Sequence, residues 1–213
     1  MESNATSPPR GAILRTPRRY DAQVWLLTLG RERSFRRLIL SHAGLRPGQQ
    51  VLDVGCGTGG LAMEARRQVG SSGNVHGIDA SQEMIERARQ KAQGAGLAID
   101  FREGAAQELP YPDAQFDVAL ATLMLHHLPR SSREQCLREI RRVLKPDGRL
   151  LVVDFGAPAQ ASAGPMRHLH RHGHLKADDL AALLGDAGLR VQQRGPLGFR
   201  GLQFVLAAAA PQA

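Results

Sequence analysis

The sequence predicts a doubly wound α/β fold, and three observations carry that prediction. The apolar run Val51-Leu52-Asp53-Val54 leads into a glycine-rich turn, Gly55-Cys56-Gly57-Thr58-Gly59-Gly60. Apolar runs near Val51, Val75, Ile99, Val118 and Leu150 alternate with helical spacings near Leu61, Met84 and Glu134, the order that builds a parallel sheet with right-handed crossovers. Leu189 to Gly195 and Gly201 to Leu206 add a closing pair of strands joined by a Gly-Pro loop.

Taken in order, Met1 to about Pro17 is polar and is expected to be a flexible segment over residues 1–18, ahead of one folded domain at 19–208. Val24, Leu27, Phe35, Leu38 and Leu40 give Val24 to Ala43 the spacing of a helix, within a helical cap at about 19–45. Core packing is the expected role of Trp25, and solvent exposure that of Arg33. The core follows at about 46–155. At its first turn, Gly55, Gly57 and Gly59 can adopt positive φ without a Cβ penalty, so the backbone can approach a ligand closely. The helix from about Gly60 to Val69 aims its N-terminal amides at the same place.

Glycine spacing alone does not choose the ligand, since Gly55, Gly57 and Gly60 also satisfy a dinucleotide fingerprint. Asp53 discriminates. A carboxylate inside an otherwise apolar strand is costly, and it suits a turn whose amides it accepts and a ligand that carries positive charge. S-adenosylmethionine brings a sulfonium and an ammonium, whereas a pyrophosphate would be repelled. Asp79 ends the next strand, Val75-His76-Gly77-Ile78-Asp79, twenty residues past Gly59, where an acid reaches ribose hydroxyls. Ser81 then opens a helix whose apolar face is Met84, Ile85 and Ala88.

The strings VLDVGCGTGG, GIDAS with Met84, LPYPDAQFDVALATLMLHHL and LKPDGRLLVVDF resemble the successive motifs of class I S-adenosylmethionine-dependent methyltransferases. Among these the chain is most similar to the group containing the ubiquinone/menaquinone C-methyltransferases, over Leu45 to Phe155. The resemblance implies a Rossmann-like seven-stranded sheet, mostly parallel with an antiparallel last strand. It assigns Asp53, Gly55 and Gly57 to the methionine moiety, Asp79 to the ribose and Met84 to the adenine, with Cys56, Ala80 and Leu123 beside them. Gly104, Ala105 and Ala106 fall at the adenine edge. Ala105 stands where many relatives carry an Asp, which leaves that hydrogen bond to a carbonyl, Gln107 or water, or leaves adenine held by stacking. Tyr20-Asp21 resembles an aromatic-acid entry that closes on the methionine end. A segment at about 156–177 corresponds to a substrate lid.

Methyl transfer from a sulfonium needs alignment and water exclusion more than covalent help. Deprotonating the acceptor needs a base, and His126 and His127, just after the fourth strand, are the candidates, His126 preferred. Asp154, ending the fifth strand, is a further candidate. The expected reaction yields S-adenosylhomocysteine and a methylated small-molecule or lipid-like acceptor, a quinone-type carbon or a hydroxyl first.

Charge supports a competing reading. The chain carries a formal net charge of +8, with arginines crowding residues 10–37, so RNA is the alternative substrate. Against it, aromatic residues make up only 4%, too few for base-stacking platforms, and Thr122-Leu123-Met124-Leu125 replaces the Asn/Asp-Pro-Pro-aromatic clamp of base-amino methyltransferases. A catalytically silent S-adenosylmethionine-binding partner protein is a third reading, supported by Ala105. No metal is expected: the tract His168-Leu169-His170-Arg171-His172-Gly173-His174 contains a cation and no acid or thiol, and reads as lid or loop. The two cysteines, Cys56 and Cys136, give neither a disulfide framework nor a thiol cluster for arsenite chemistry. The polar start and the lack of a long apolar run point to the cytoplasm, and the composition leaves room for a homodimer.

Overall fold

The computed structural model describes residues 16–156, 177–199 and 201–210. These form a sheet of β1 (Gln50–Val54), β2 (Asn74–Asp79), β3 (Asp100–Glu103), β4 (Phe116–Thr122), β5 (Leu144–Phe155), β6 (Leu189–Pro196) and β7 (Leu202–Ala209), in spatial order β3-β2-β1-β4-β5-β7-β6. The first five strands are mutually parallel, and β7 runs antiparallel to both β5 and β6. This is the fold class that the sequence predicts.

The helices are α1 (Pro17–Leu27), α2 (Glu32–Ala43), α3 (Gly60–Val69), α4 (Gln82–Gly94), α5 (Arg130–Val143) and α6 (Ala177–Asp186). Strand alternation sorts the core into two layers. Leu52, Val54, Ala119 and Ala121 pack with α5 and α6, while Val51, Val75, Val118 and Leu120 pack with α2, α3 and α4. Asp53 shares the parity of Val51 and therefore points toward α3. The strand order reverses between β1 and β4. Such a switch point opens a crevice at the carboxyl ends of the strands.

Three expectations need correction. Val24 to Ala43 is not one helix: α1 ends at Leu27 and α2 begins at Glu32, because Leu29 and Gly30 adopt φ of 51° and 74°, which a right-handed helix cannot contain. Trp25 is not a core residue but is 59% exposed, because it lies on the outer side of α1. The alanines after Leu206, whose composition alone predicts a tail or frayed strand end, supply the paired last residues of β7, Ala207 to Ala209, of which Ala207 is fully buried. Small side chains there let the strand sit between β5 and β6 under α6. Of the segment at 1–18, Pro17 and Arg18 already belong to α1; residues 1–15, the lid at 157–176 and the histidine tract lie outside the described residues.

Candidate active site

The glycine turn between β1 and α3 is shaped by what surrounds it. Gly55 and Gly59 have φ of 69° and 74°, and a Cβ would meet Met124 Cβ at 2.7 Å in the first case and Phe101 Cζ at 2.6 Å in the second. Backbone amides of Gly55 and Cys56 donate to the Ile78 carbonyl at 2.8 and 3.0 Å, tying the turn to β2. Asp79 completes the tie: its Oδ2 accepts from the Gly57 amide at 2.8 Å and its Oδ1 from the Ser81 amide at 3.0 Å. The sequence predicts Asp53 as acceptor of the turn amides, but the Gly57 amide goes to Asp79 instead. The reason is reach: Asp53 faces α3, where its backbone partner is Ala62.

Asp53 is left in an unusual state. It is 2% exposed, its Oδ2 has no hydrogen-bond partner among the described residues, and no cation forms an ion pair with it there. Burial, helped by the nearby Asp79 charge and opposed by the Ala62 bond, pushes its carboxyl up to about 7. Burial also raises the Asp79 carboxyl, the Cys56 thiol and, to about 12, the Tyr20 phenol.

Two adjoining clefts open here. The larger spans about 850 Å³ of space that is continuous with solvent and is bounded by Asp79, Ala80 and Met84 on one side and by Gly104, Ala105, Ala106 and Gln107 on another. Met124, His127 and Leu128 close its far end. The smaller holds Asp53, Cys56, Gly60 and Arg36. Tyr20, Gly55, Thr122 and Leu123 border both. Every cofactor candidate from the sequence therefore lines one of the two clefts.

α1 covers this site. None of its residues is fully buried, so it is held by a polar latch: Asp21 Oδ1 accepts from Thr58 Oγ1 at 2.7 Å and from Lys91 Nζ at 3.0 Å, and Arg87 lies at 3.4 Å from Oδ2. Those contacts hold the Asp21 carboxyl below its usual range despite partial burial. They set Tyr20 over Gly57.

The histidines divide. His127 lines the larger cleft. His126, the preferred base, borders neither cleft: its Nδ1 donates to Asp154 Oδ1 at 2.6 Å, and its backbone amide donates to Asp154 Oδ2 at 3.1 Å. The same Oδ1 accepts from the Phe155 amide at 2.8 Å, so both oxygens of Asp154 clamp the 3-10 turn Leu125–His127 to the end of β5. His126 in turn packs against His127 with the rings tilted by 45°, centroids 3.9 Å apart. Among the described residues, no group of three His, Cys, Asp or Glu is placed to hold a metal.

Arg36 carries no distinguishing signal in the sequence. It lies against Gly60 and pairs with Glu32 at 2.5 Å, and its neighbours Arg31, Arg33 and Arg37 hid it in a run of charge. Its half-buried position is set by α2 packing, which periodicity alone did not single out. Thr122, whose buried Oγ1 has no partner among the described residues, is signalled in the sequence only as a hydroxyl ending an apolar strand.

A methyltransferase domain model matches residues 51–148. The demethylmenaquinone methyltransferase of Lactobacillus johnsonii is 37% identical over 141 residues, covering 65% of this chain and 57% of that protein. The 2-phytyl-1,4-naphtoquinone methyltransferase of Trichormus variabilis is 38% identical over 144 residues, covering 65% and 61%. The chain thus spans little more than half the length of these relatives. The crystal structure of a SAM-dependent methyltransferase from Aquifex aeolicus superimposes with a TM-score of 0.76 at 26% identity, covering 92% of this chain and all of that one.

Proposed function

We propose, from the premise that residues 51–148 belong to the class I S-adenosylmethionine-dependent methyltransferase family, that this chain methylates a quinone-like acceptor at carbon. The observation that carries the reading is the larger cleft, which runs from the Asp79 carboxylate to His127 across the carboxyl ends of β2, β1 and β4. The donor set fits the cofactor: two buried polar atoms, Asp53 Oδ2 and Thr122 Oγ1, lack partners among the described residues, and an unpaired buried carboxylate suits a cationic ligand. When bound, the cofactor supplies a methyl group activated by a sulfonium.

Everything else is the work of the chain. Asp79 binds ribose hydroxyls while its own amide partners hold it rigid. Asp53 faces the ammonium and Arg36 the carboxylate of the methionine end. Met84 packs on the adenine, and Gln107, 5% exposed and lining the cleft, takes the hydrogen bond that Ala105 cannot make. Tyr20 and α1 exclude water. His127 removes the proton from the acceptor, and Asp154 acts through His126 as a positioning pair that fixes the turn carrying it. The two named relatives act, by their names, on demethylmenaquinone and a phytylated naphthoquinone, and the apolar Leu123, Met124 and Leu128 beside His127 suit such a ring.

The test combines calorimetry with product analysis. Full-length protein should bind S-adenosylmethionine and convert a short-chain demethylnaphthoquinol to a product one methyl heavier, methylated on the ring by mass spectrometry. Cofactor binding without transfer to any reduced quinone would remove the acceptor assignment. Selective binding of a nicotinamide nucleotide would remove the whole reading.

A further inference from the structure

α1 is apolar on two sides. Tyr20 and Val24 border the clefts, yet on the outer side Trp25 is 59%, Leu26 64% and Leu29 74% exposed. Leu29 is pushed outward by its left-handed backbone, φ 51°, at the corner between α1 and α2. Such a cluster of large apolar side chains at one protruding corner is uncommon on a surface that faces only water.

Its surroundings are cationic. Between residues 17 and 38 lie six arginines against two acids, Asp21 and Glu32, and both acids are engaged, one in the α1 latch and the other with Arg36. Among the described residues Arg18, Arg19 and Arg31 are exposed and have no carboxylate partner. Arg33 and Arg37 share Glu64 yet remain 63% and 60% exposed. Tryptophan and leucine at a corner flanked by long cationic side chains is the arrangement that seats in the interface of an anionic bilayer, apolar tips among the acyl chains and guanidinium groups at the phosphates. RNA would meet the arginines but leave Leu26 and Leu29 without a partner. No described helix is long and apolar enough to cross a membrane, so contact would be peripheral.

We infer that the α1–α2 corner docks this protein on an anionic lipid surface. The same helix that closes the clefts with Tyr20 then lies on the bilayer, which places the site next to an acceptor dissolved in lipid. The inference deepens the quinone reading and rests on it only for its purpose, since docking itself needs no turnover.

Trp25 is the only tryptophan in the chain, so its emission reports the corner directly. Full-length protein is mixed with vesicles of phosphatidylcholine alone or with an equal part of phosphatidylglycerol. The expected result is co-sedimentation and a blue shift with the anionic vesicles only, weakened by salt. The double variant Leu26→Asp, Leu29→Asp, which keeps Trp25, should lower the partition coefficient by more than about tenfold while keeping its circular dichroism and calorimetric cofactor affinity. No sedimentation with either vesicle overturns the inference. So does a blue shift that depends on protein concentration without lipid, which marks a second copy on the corner, or salt-sensitive RNA binding that leaves vesicles unbound. Docking without quinol methylation would instead count against the acceptor assignment alone, and methylation without docking against the corner alone.

Discussion

Replacing Asp53 by Asn should make the free protein more stable and the cofactor complex weaker. Asp53 carries a carboxyl raised from 3.8 to about 7, so folding must work against its ionisation. The sign follows from proton counts. Between pH 4 and 7 the native state holds a proton that the unfolded chain releases, so stability falls as pH rises across that window and levels off above it. Roughly 3 units at 1.36 kcal/mol each give about 4 kcal/mol of destabilisation at pH 8. An Asn amide inherits the partnerless position of Oδ2 and costs about 1–3 kcal/mol of it back, leaving a net gain of ~1–3 kcal/mol. Urea unfolding of both proteins without cofactor, at pH 4 and pH 8, measures it. The variant should be the more stable at pH 8 and lose that advantage at pH 4, where the native carboxyl is protonated and differs little from the amide. Calorimetry should show S-adenosylmethionine affinity for the parent rising with pH up to about 7, because a cationic ligand expels the proton, and a weak, pH-independent affinity for the variant. An Asp53→Asn protein that is no more stable at pH 8 than at pH 4, relative to its parent, would refute the strained-carboxylate argument.

Other perturbations separate the remaining roles. His127→Ala should cut turnover by about 100-fold or more with cofactor affinity intact, the usual share of a general base; His126→Ala should lower turnover less and shift its pH profile, since it acts through the position of its neighbour. Asp21→Ala should free α1, seen as faster proteolysis between α1 and α2 and faster cofactor release; in the parent, the same latch should weaken as pH falls through the depressed Asp21 carboxyl range. Gly59→Ala combines a left-handed φ with a Cβ at 2.6 Å from Phe101, and chemical denaturation should report a loss of about 2–5 kcal/mol.

The inner strands were legible because a strand inside a covered parallel sheet is apolar along most of its length, as in β1, β4 and the second half of β5, whereas the edge strand β3 offers only Phe101. The turn and its acids were legible for a similar reason: glycine at a positive φ and a carboxylate in an apolar run are exceptions that stand out locally. What could not be read depends on direction rather than identity. Trp25 fits a helical stripe whichever side of α1 it occupies, and only the packing of α1 against α4 decides that it faces out. His126 and His127 are adjacent and alike, and the 3-10 turn that sends one to Asp154 and the other to the cleft has no sequence signature. Arg36 differs from Arg33 and Arg37 only in the angle at which α2 meets the glycine turn.

The two acids at the glycine turn are chemically alike, yet their hydrogen bonds assign them different work. Asp79 ends a strand and sits at the start of α4, so backbone amides from two sides fill it; it is built before any ligand arrives, and its removal loosens the turn itself. Asp53 lies one strand inward, with a single backbone partner and an unfilled oxygen. Its charge is completed only by what binds. A site assembled this way is preorganised at Asp79 and energetically unfinished at Asp53, so ligand charge and fold stability are coupled through one residue. Cofactor and product both carry the ammonium that Asp53 faces, and the cofactor adds the charge of the sulfonium: part of the proton that Asp53 gives up on binding the first is regained once that second charge is lost. Product should therefore bind with less proton release than substrate below pH 7, which calorimetry in two buffers of different ionisation heat would resolve, and equal proton release for both would show that Asp53 does not sense the sulfonium.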